Sequence, residues 1–149
     1  MRSVPQFSNH INWSASATPP IPNLLVIRSS DIERAVTFYQ AIGIRFELHA
    51  HGKGPKHYAS ETCGFVFEIY PQRDDSNTTT NTRIGFNVDS VDDCLDLLAK
   101  LNVDVVSTAK DSQWGRRAVV RDLDGHTVEL VTPPNRDSSI QIQHPPGNA

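Results

Sequence analysis

The chain repeats itself at an interval of about 60 residues. Apolar runs open at Leu24 and Arg83, 59 residues apart, and serines able to cap a helix stand at Ser30 and Ser90, 60 apart. Helix-ending residues stand at Gly43 and Asn102, 59 apart, and turn glycines at Gly64 and Gly125, 61 apart. Self-similarity of this kind confines a chain to folds built from copies of one supersecondary unit. Glu68 and Glu129 also fall 61 residues apart, in Phe-Val-Phe-Glu-Ile-Tyr-Pro and Thr-Val-Glu-Leu-Val-Thr-Pro, so the repeat carries a pair of equivalent acids.

Each copy reads as a strand, a helix and three strands. Residues 23–28 have the pattern of a buried strand, after which Ser30 can cap a helix and Glu33 can reach back to it. Ile32, Ala35, Val36, Tyr39 and Ile42 recur at helical spacing until Gly43 supplies a left-handed stop. Strand-like pieces follow at 45–51, 56–60 and 65–70. Beyond a polar segment the pattern restarts with a strand at 83–88 and a helix capped by Ser90, whose stripe is Val91, Cys94, Leu95, Leu98 and Leu101. Three more strands read at 103–107, 116–121 and 127–131, with Asp124-Gly125 as a turn signal between the last two.

The expected fold is α+β: two βαβββ modules, at 23–71 and 82–133 with a linker at 72–81, forming a cupped, mainly antiparallel eight-stranded sheet with helices on the convex face. Residues 1–22, with Pro5, Pro19, Pro20 and Pro22, read as a flexible arm. Residues 134–149 read as a tail in which Ile140 and Ile142 alternate.

Alternation sorts the strand faces. Phe65, Phe67, Ile69, Val128 and Leu130 belong under the helices, as do Ile84, Phe86 and Val88. Glu68, Glu129 and Arg83 then fall on the uncovered side. A carboxylate in mid-strand on a partly enclosed surface must be satisfied by a metal, a cation or water. Convergence of three charged groups on a cavity is a signal of function; a cluster that merely closes the sheet is the structural alternative.

Composition narrows the classes. Lys and Arg number 14 against 17 acids with no basic block, so the electrostatic footprint of a nucleic-acid binder is missing. Neither a membrane-length apolar run nor a secretory leader is present, which predicts a cytoplasmic protein with no membrane partner. The cysteines, Cys63 and Cys94, are too few for a disulfide framework. A small-molecule ligand is the expected partner.

The double βαβββ layout, the run Leu-Val-Ile-Arg-Ser-Ser-Asp-Ile-Glu-Arg-Ala-Val-Thr-Phe-Tyr, the Phe-Glu-Ile-Tyr strand and the closing Asp-Leu-Asp-Gly-His-Thr-Val-Glu-Leu resemble the vicinal oxygen chelate superfamily. That superfamily includes glyoxalase I, bleomycin-resistance proteins, fosfomycin-resistance enzymes and extradiol dioxygenases. The resemblance implies a homodimer, with each cup completed between subunits, and in the metal-using members a divalent ion such as Zn, Ni, Mn or Fe. Carried over position by position, the metal ligands fall at Leu24, Glu68, Arg83 and Glu129.

Only the two glutamates can act as ligands. Leu24 has no donor atom and Arg83 is a permanent cation without a lone pair. At an assumed separation of about 5 Å and an effective dielectric of about 20, Arg83 repels a divalent ion by about 6 to 7 kcal/mol, roughly cancelling one glutamate's attraction. The resemblance therefore implies a small-molecule-binding member with an incomplete metal site and no resident ion. It would capture or process an anionic or polar aromatic compound through Arg83, Glu68 and Trp114, with Glu129 and His57 as the catalytic candidates. The alternative is a metal-dependent glyoxalase I-type lyase or a dioxygenase in which Glu68 and Glu129 hold the ion.

Other residues carry weaker signals. His49 and His51 share a strand face with Glu47 at a spacing that can chelate a metal, although a solvated edge explains it as well. His57, next to Tyr58, is a pocket acid or base, or a hydrogen-bonded structural histidine. His126 reads as a turn residue. Trp114 lines the cup or seals the core. Of Arg116 and Arg117, one must face the cup and one must face away.

Overall fold

In a computed structural model of the chain, the described residues are 18–134. The first module comprises β1 (Leu24–Ser29), α1 (Ile32–Ala41), β2 (Glu47–His49), β3 (His57–Thr62) and β4 (Phe65–Pro71). The second comprises β5 (Arg83–Asn87), α2 (Val91–Ala99), β6 (Asp104–Ser112), β7 (Gly115–Arg121) and β8 (Thr127–Thr132). The expected arm lies outside the described residues except for 18–22, and the tail except for 134.

Each module closes on itself. Its first strand pairs in parallel with its last, giving the orders β1-β4-β3-β2 and β5-β8-β7-β6, with the remaining pairs antiparallel. The strands are therefore divided between two mixed four-stranded sheets rather than hydrogen-bonded into one of eight. Both helices serve a single core in which Tyr39 of α1 lies edge-on to Phe67 of β4 at 5.0 Å and to Phe86 of β5 at 6.0 Å between ring centroids. Phe67, Ile69, Val128 and Leu130 are buried there, as their alternation requires.

The helix caps are only half as read from the sequence. Ser90 caps α2 by accepting from the Asp93 amide at 3.1 Å. At α1 the cap is Asp31, which accepts from the Arg34 amide at 3.1 Å, and not Ser30. Ser30 is diverted: its amide and hydroxyl both donate to Asp124 Oδ1 of the second module at 2.9 Å. Glu33 does not reach back to the cap either, because it accepts from the Tyr58 hydroxyl at 2.6 Å.

The β7–β8 turn is what fastens the modules together. Asp122 accepts from the Tyr39 hydroxyl at 2.7 Å and from the His126 amide at 2.9 Å, and its Oδ2 stands 2.7 Å from His126 Nδ1. Asp124 Oδ2 accepts from the Ser29 hydroxyl at 2.6 Å. Thr79 Oγ1 accepts from the Arg28 amide at 2.8 Å and lies 2.7 Å from His126 Nε2. Residues 72–81 contain no strand or helix, yet Thr79 ties this segment to both modules. His126 is 0% exposed, so it is an interior bridging group and not the simple turn residue expected. Burial pushes the Asp122 carboxyl up, and the bonds from His126 and Tyr39 more than reverse this, holding it below the ordinary carboxylate range.

Candidate functional site

The uncovered face of each sheet carries its glutamate, and the surroundings differ. On the second sheet, Glu129 sits on β8 directly beside Gly85 of β5 and Val119 of β7. Arg83 donates to its Oε2 from Nε at 3.2 Å and from a terminal nitrogen at 2.8 Å, while Arg117 on β7 donates to Oε1. The Arg117 bond, and after it Arg83, hold the Glu129 carboxyl down at about 2. Arg117 is thus the arginine on the open face. Arg116 points to the helix side, bridging Asp92 of α2 and Asp111 of β6.

On the first sheet, Glu68 pairs in register with Ala59, and its Oε1 lies 3.8 Å from His57 Nε2. His57 is buried, with Nδ1 3.3 Å from the Pro55 carbonyl and its ring stacked on Tyr70 at 4.1 Å between centroids. Pro55 O can only accept, so Nδ1 donates to it, and Nε2 stands 3.3 Å from the Tyr70 hydroxyl. The Arg28 guanidinium stands 5.1 Å from the same Tyr70 ring. A depression of about 460 Å³ on this sheet includes Glu68, Glu47, His49 and Glu61 in its lining.

The site residues read from the sequence therefore fall into pairs: Arg83 with Glu129, and His57 with Glu68. Among the described residues no hydrogen bond joins the two glutamates within one chain, and the 460 Å³ depression takes in Glu68 but not Glu129. Arg83 borders a larger cleft of about 860 Å³ with apolar walls from Leu25, Phe65, Phe67 and Phe86. Trp114, at the β6–β7 turn, is 73% exposed and lines neither cavity.

The family's metal positions do not suit an ion here. Leu24 is 54% exposed and offers no ligand atom, Arg83 supplies a positive charge, and both oxygens of Glu129 are engaged by guanidiniums. The sequence left Arg117 unassigned because two adjacent arginines on one strand cannot be told apart without the register. The strand register Arg117↔Val131, next to Val119↔Glu129, settles the face.

Comparison with known proteins agrees with this architecture. No curated protein sequence matches the chain. A glyoxalase/bleomycin resistance protein from Streptomyces sp. CB03234 superposes with a TM-score of 0.55 and 25% identity over 75% of this chain and 100% of that one. TnmS3, an antibiotic binding protein also from Streptomyces sp. CB03234, gives 0.58 and 24%, covering 79% and 99%. The fosfomycin resistance protein FosX from Listeria monocytogenes gives 0.59 and 21%, covering 79% and 94%. The family profile matches residues 21–130, and the chain belongs to the Glyoxalase/Bleomycin resistance protein/Dioxygenase superfamily.

Proposed function

We propose that this chain captures a small anionic or polar aromatic compound without a metal at the family's ligand positions. The observation that carries this reading is the Arg83–Glu129–Arg117 triad, two cations around one anion, of which Arg83 borders a phenylalanine-walled cleft. The triad has a surplus positive charge, and Arg83 is the more exposed of its two arginines. A guanidinium can give a carboxylate or phenolate two parallel hydrogen bonds while the ligand's ring lies against the apolar wall. TnmS3 is described as an antibiotic binding protein, and capture of a flat, polar compound is the corresponding role for this chain. His57 and Glu68 lie on the other sheet as the polar pair of that face, and Trp114, at the end of β7 remote from Arg83, takes no part in this cleft.

The chain acts in this reading as a cytoplasmic homodimer. A second copy sets the Glu68 face of one subunit against the Glu129 face of the other, completing a cup that a single chain leaves divided. Light scattering on the purified protein should return twice the chain mass of 16.5 kDa.

The test is a thermal-shift and calorimetric screen with aromatic carboxylates and phenols. A binder should stabilise the protein, and Arg83→Ala should weaken it by about tenfold or more, the loss of one charge-assisted bidentate contact. The lyase or dioxygenase reading predicts instead a stoichiometric Zn, Ni, Mn or Fe ion that is lost in Glu129→Gln. Finding that ion would overturn the proposal.

A further inference from the structure

On the first sheet three imidazoles come together that belong to neither the triad nor the family's ligand positions. His49 on β2 and His57 on β3 are direct cross-strand partners, so their side chains leave the sheet on one face. His51 follows two residues beyond His49, in the chain that turns back through the Gly54 amide, which donates to the His51 carbonyl at 2.9 Å. One ring nitrogen of each histidine lies within 4.8 Å of those of the other two. The rings are 5.5 Å (His49–His51), 5.5 Å (His49–His57) and 6.0 Å (His51–His57) apart between centroids.

We propose that His49, His51 and His57 form a binding site for a divalent transition-metal ion of the zinc class. Three neutral imidazoles are a sufficient protein ligand set for zinc, leaving a fourth position for water or a carboxylate. Zinc–nitrogen bonds of 2.0–2.1 Å imply nitrogen separations of about 3.3 Å around a tetrahedral ion, so the cluster must tighten. It is built to do so from one side. His57 is buried, with Nδ1 held by the Pro55 carbonyl, the outer contact that orients a metal-bound histidine, and its Nε2, now 3.3 Å from the Tyr70 hydroxyl, would exchange that contact for the ion. His49, partly exposed, and His51, exposed, lie on a three-residue edge strand and the loop after it, at the margin of the sheet.

The charges nearby also favour a cation. Glu47 Oε2 is 3.7 Å from His49 Nε2 and Glu68 Oε1 is 3.8 Å from His57 Nε2, so two carboxylates offset an ion's charge on this face. On the other sheet, the corresponding acid is already neutralised by arginines. The other cluster of metal-ligating side chains among the described residues, Asp122, Asp124 and His126, is committed to the hydrogen bonds that join the modules. The ion would therefore bind on the first module only, held by histidines beside Glu68 and without Glu129.

Titration of the metal-free full chain with zinc chloride alone, followed by calorimetry, tests this. One saturable site per chain is expected, with His49→Ala and His51→Ala each weakening it about tenfold or more, as loss of a ligand does. Both side chains are at least partly exposed, so circular dichroism and urea unfolding should remain as in the parent chain. His57→Gln should weaken binding further, and cobalt substitution should give the intense visible bands of a tetrahedral centre. Glu129→Gln should leave the zinc affinity unchanged, which separates this site from the family's. Absence of saturable binding at 0.1 mM zinc chloride, or binding that survives His49→Ala and His51→Ala together, would overturn the proposal.

Discussion

Glu68 and Glu129 occupy the same place in two copies of one structural unit, and they have been put to different uses. Glu129 is clasped by two arginines contributed by its neighbouring strands, whereas Glu68 has a buried histidine and an aromatic ring beside it. The turns diverge in the same manner. Glu-Thr-Cys-Gly-Phe at 61–65 is a surface turn with Glu61 exposed, while Asp-Leu-Asp-Gly-His at 122–126 is the junction on which the first module is tied down. Duplication preserved the backbone, and the side chains then divided the work: the second module provides charge and cohesion, and the first provides uncommitted donors.

The largest test of that division concerns the two turns. Asp122→Ala removes a buried acceptor from Tyr39 and His126, and should cost about 3 to 5 kcal/mol in urea unfolding, the range for breaking a buried charged network. Glu61→Ala, at the equivalent place, should stay within about 0.5 kcal/mol because the side chain is exposed. Equal effects would mean that the modules are not fastened asymmetrically.

The hairpins offer a second comparison. Gly115 has φ +112°, and a Cβ there would stand 2.1 Å from the Thr132 carbonyl oxygen, so Gly115→Ala should destabilise by about 2 kcal/mol or more. Gly52, in the first module's counterpart loop, also has a positive φ but open space around it, so Gly52→Ala should cost only about 1 kcal/mol of backbone strain.

A third test uses acid. The Glu129 carboxyl is held at about 2 against an ordinary 4.5, so its contribution to stability is complete above pH 4.5 and is lost as the pH falls towards 2. Glu129→Gln should flatten that part of the acid-unfolding curve. The amplitude should be at most about 1 kcal/mol, because the pair is partly open to solvent. Smallest of all, Trp114→Ala should change stability by less than about 0.5 kcal/mol, because the ring is 73% exposed.

Much of the fold was legible because it is periodic. The two-module layout, the helix stripes and the buried strand faces follow from repeats of 2 and 3.6 residues that one sequence displays. The sequence also placed Arg83, Glu68 and Glu129 on uncovered faces. What it could not supply was pairing across long distances. Whether Ser30 caps its own helix or bonds to Asp124, 94 residues away, is decided by the docking of two modules. The same holds for His126, which looks like a polar turn residue until Tyr39 and Thr79 are brought to it. His57 and His49 stand apart in the sequence, and the β2–β3 register, which makes them neighbours, depends on where a short edge strand begins.

The bond between Tyr39 and Asp122 also bears on synthesis. The phenol waits for an acceptor 83 positions downstream, so a nascent chain can complete its first sheet once Pro71 has emerged but cannot satisfy this hydroxyl until nearly all the second module has left the ribosome. Until the second module docks, water is the only partner open to that hydroxyl.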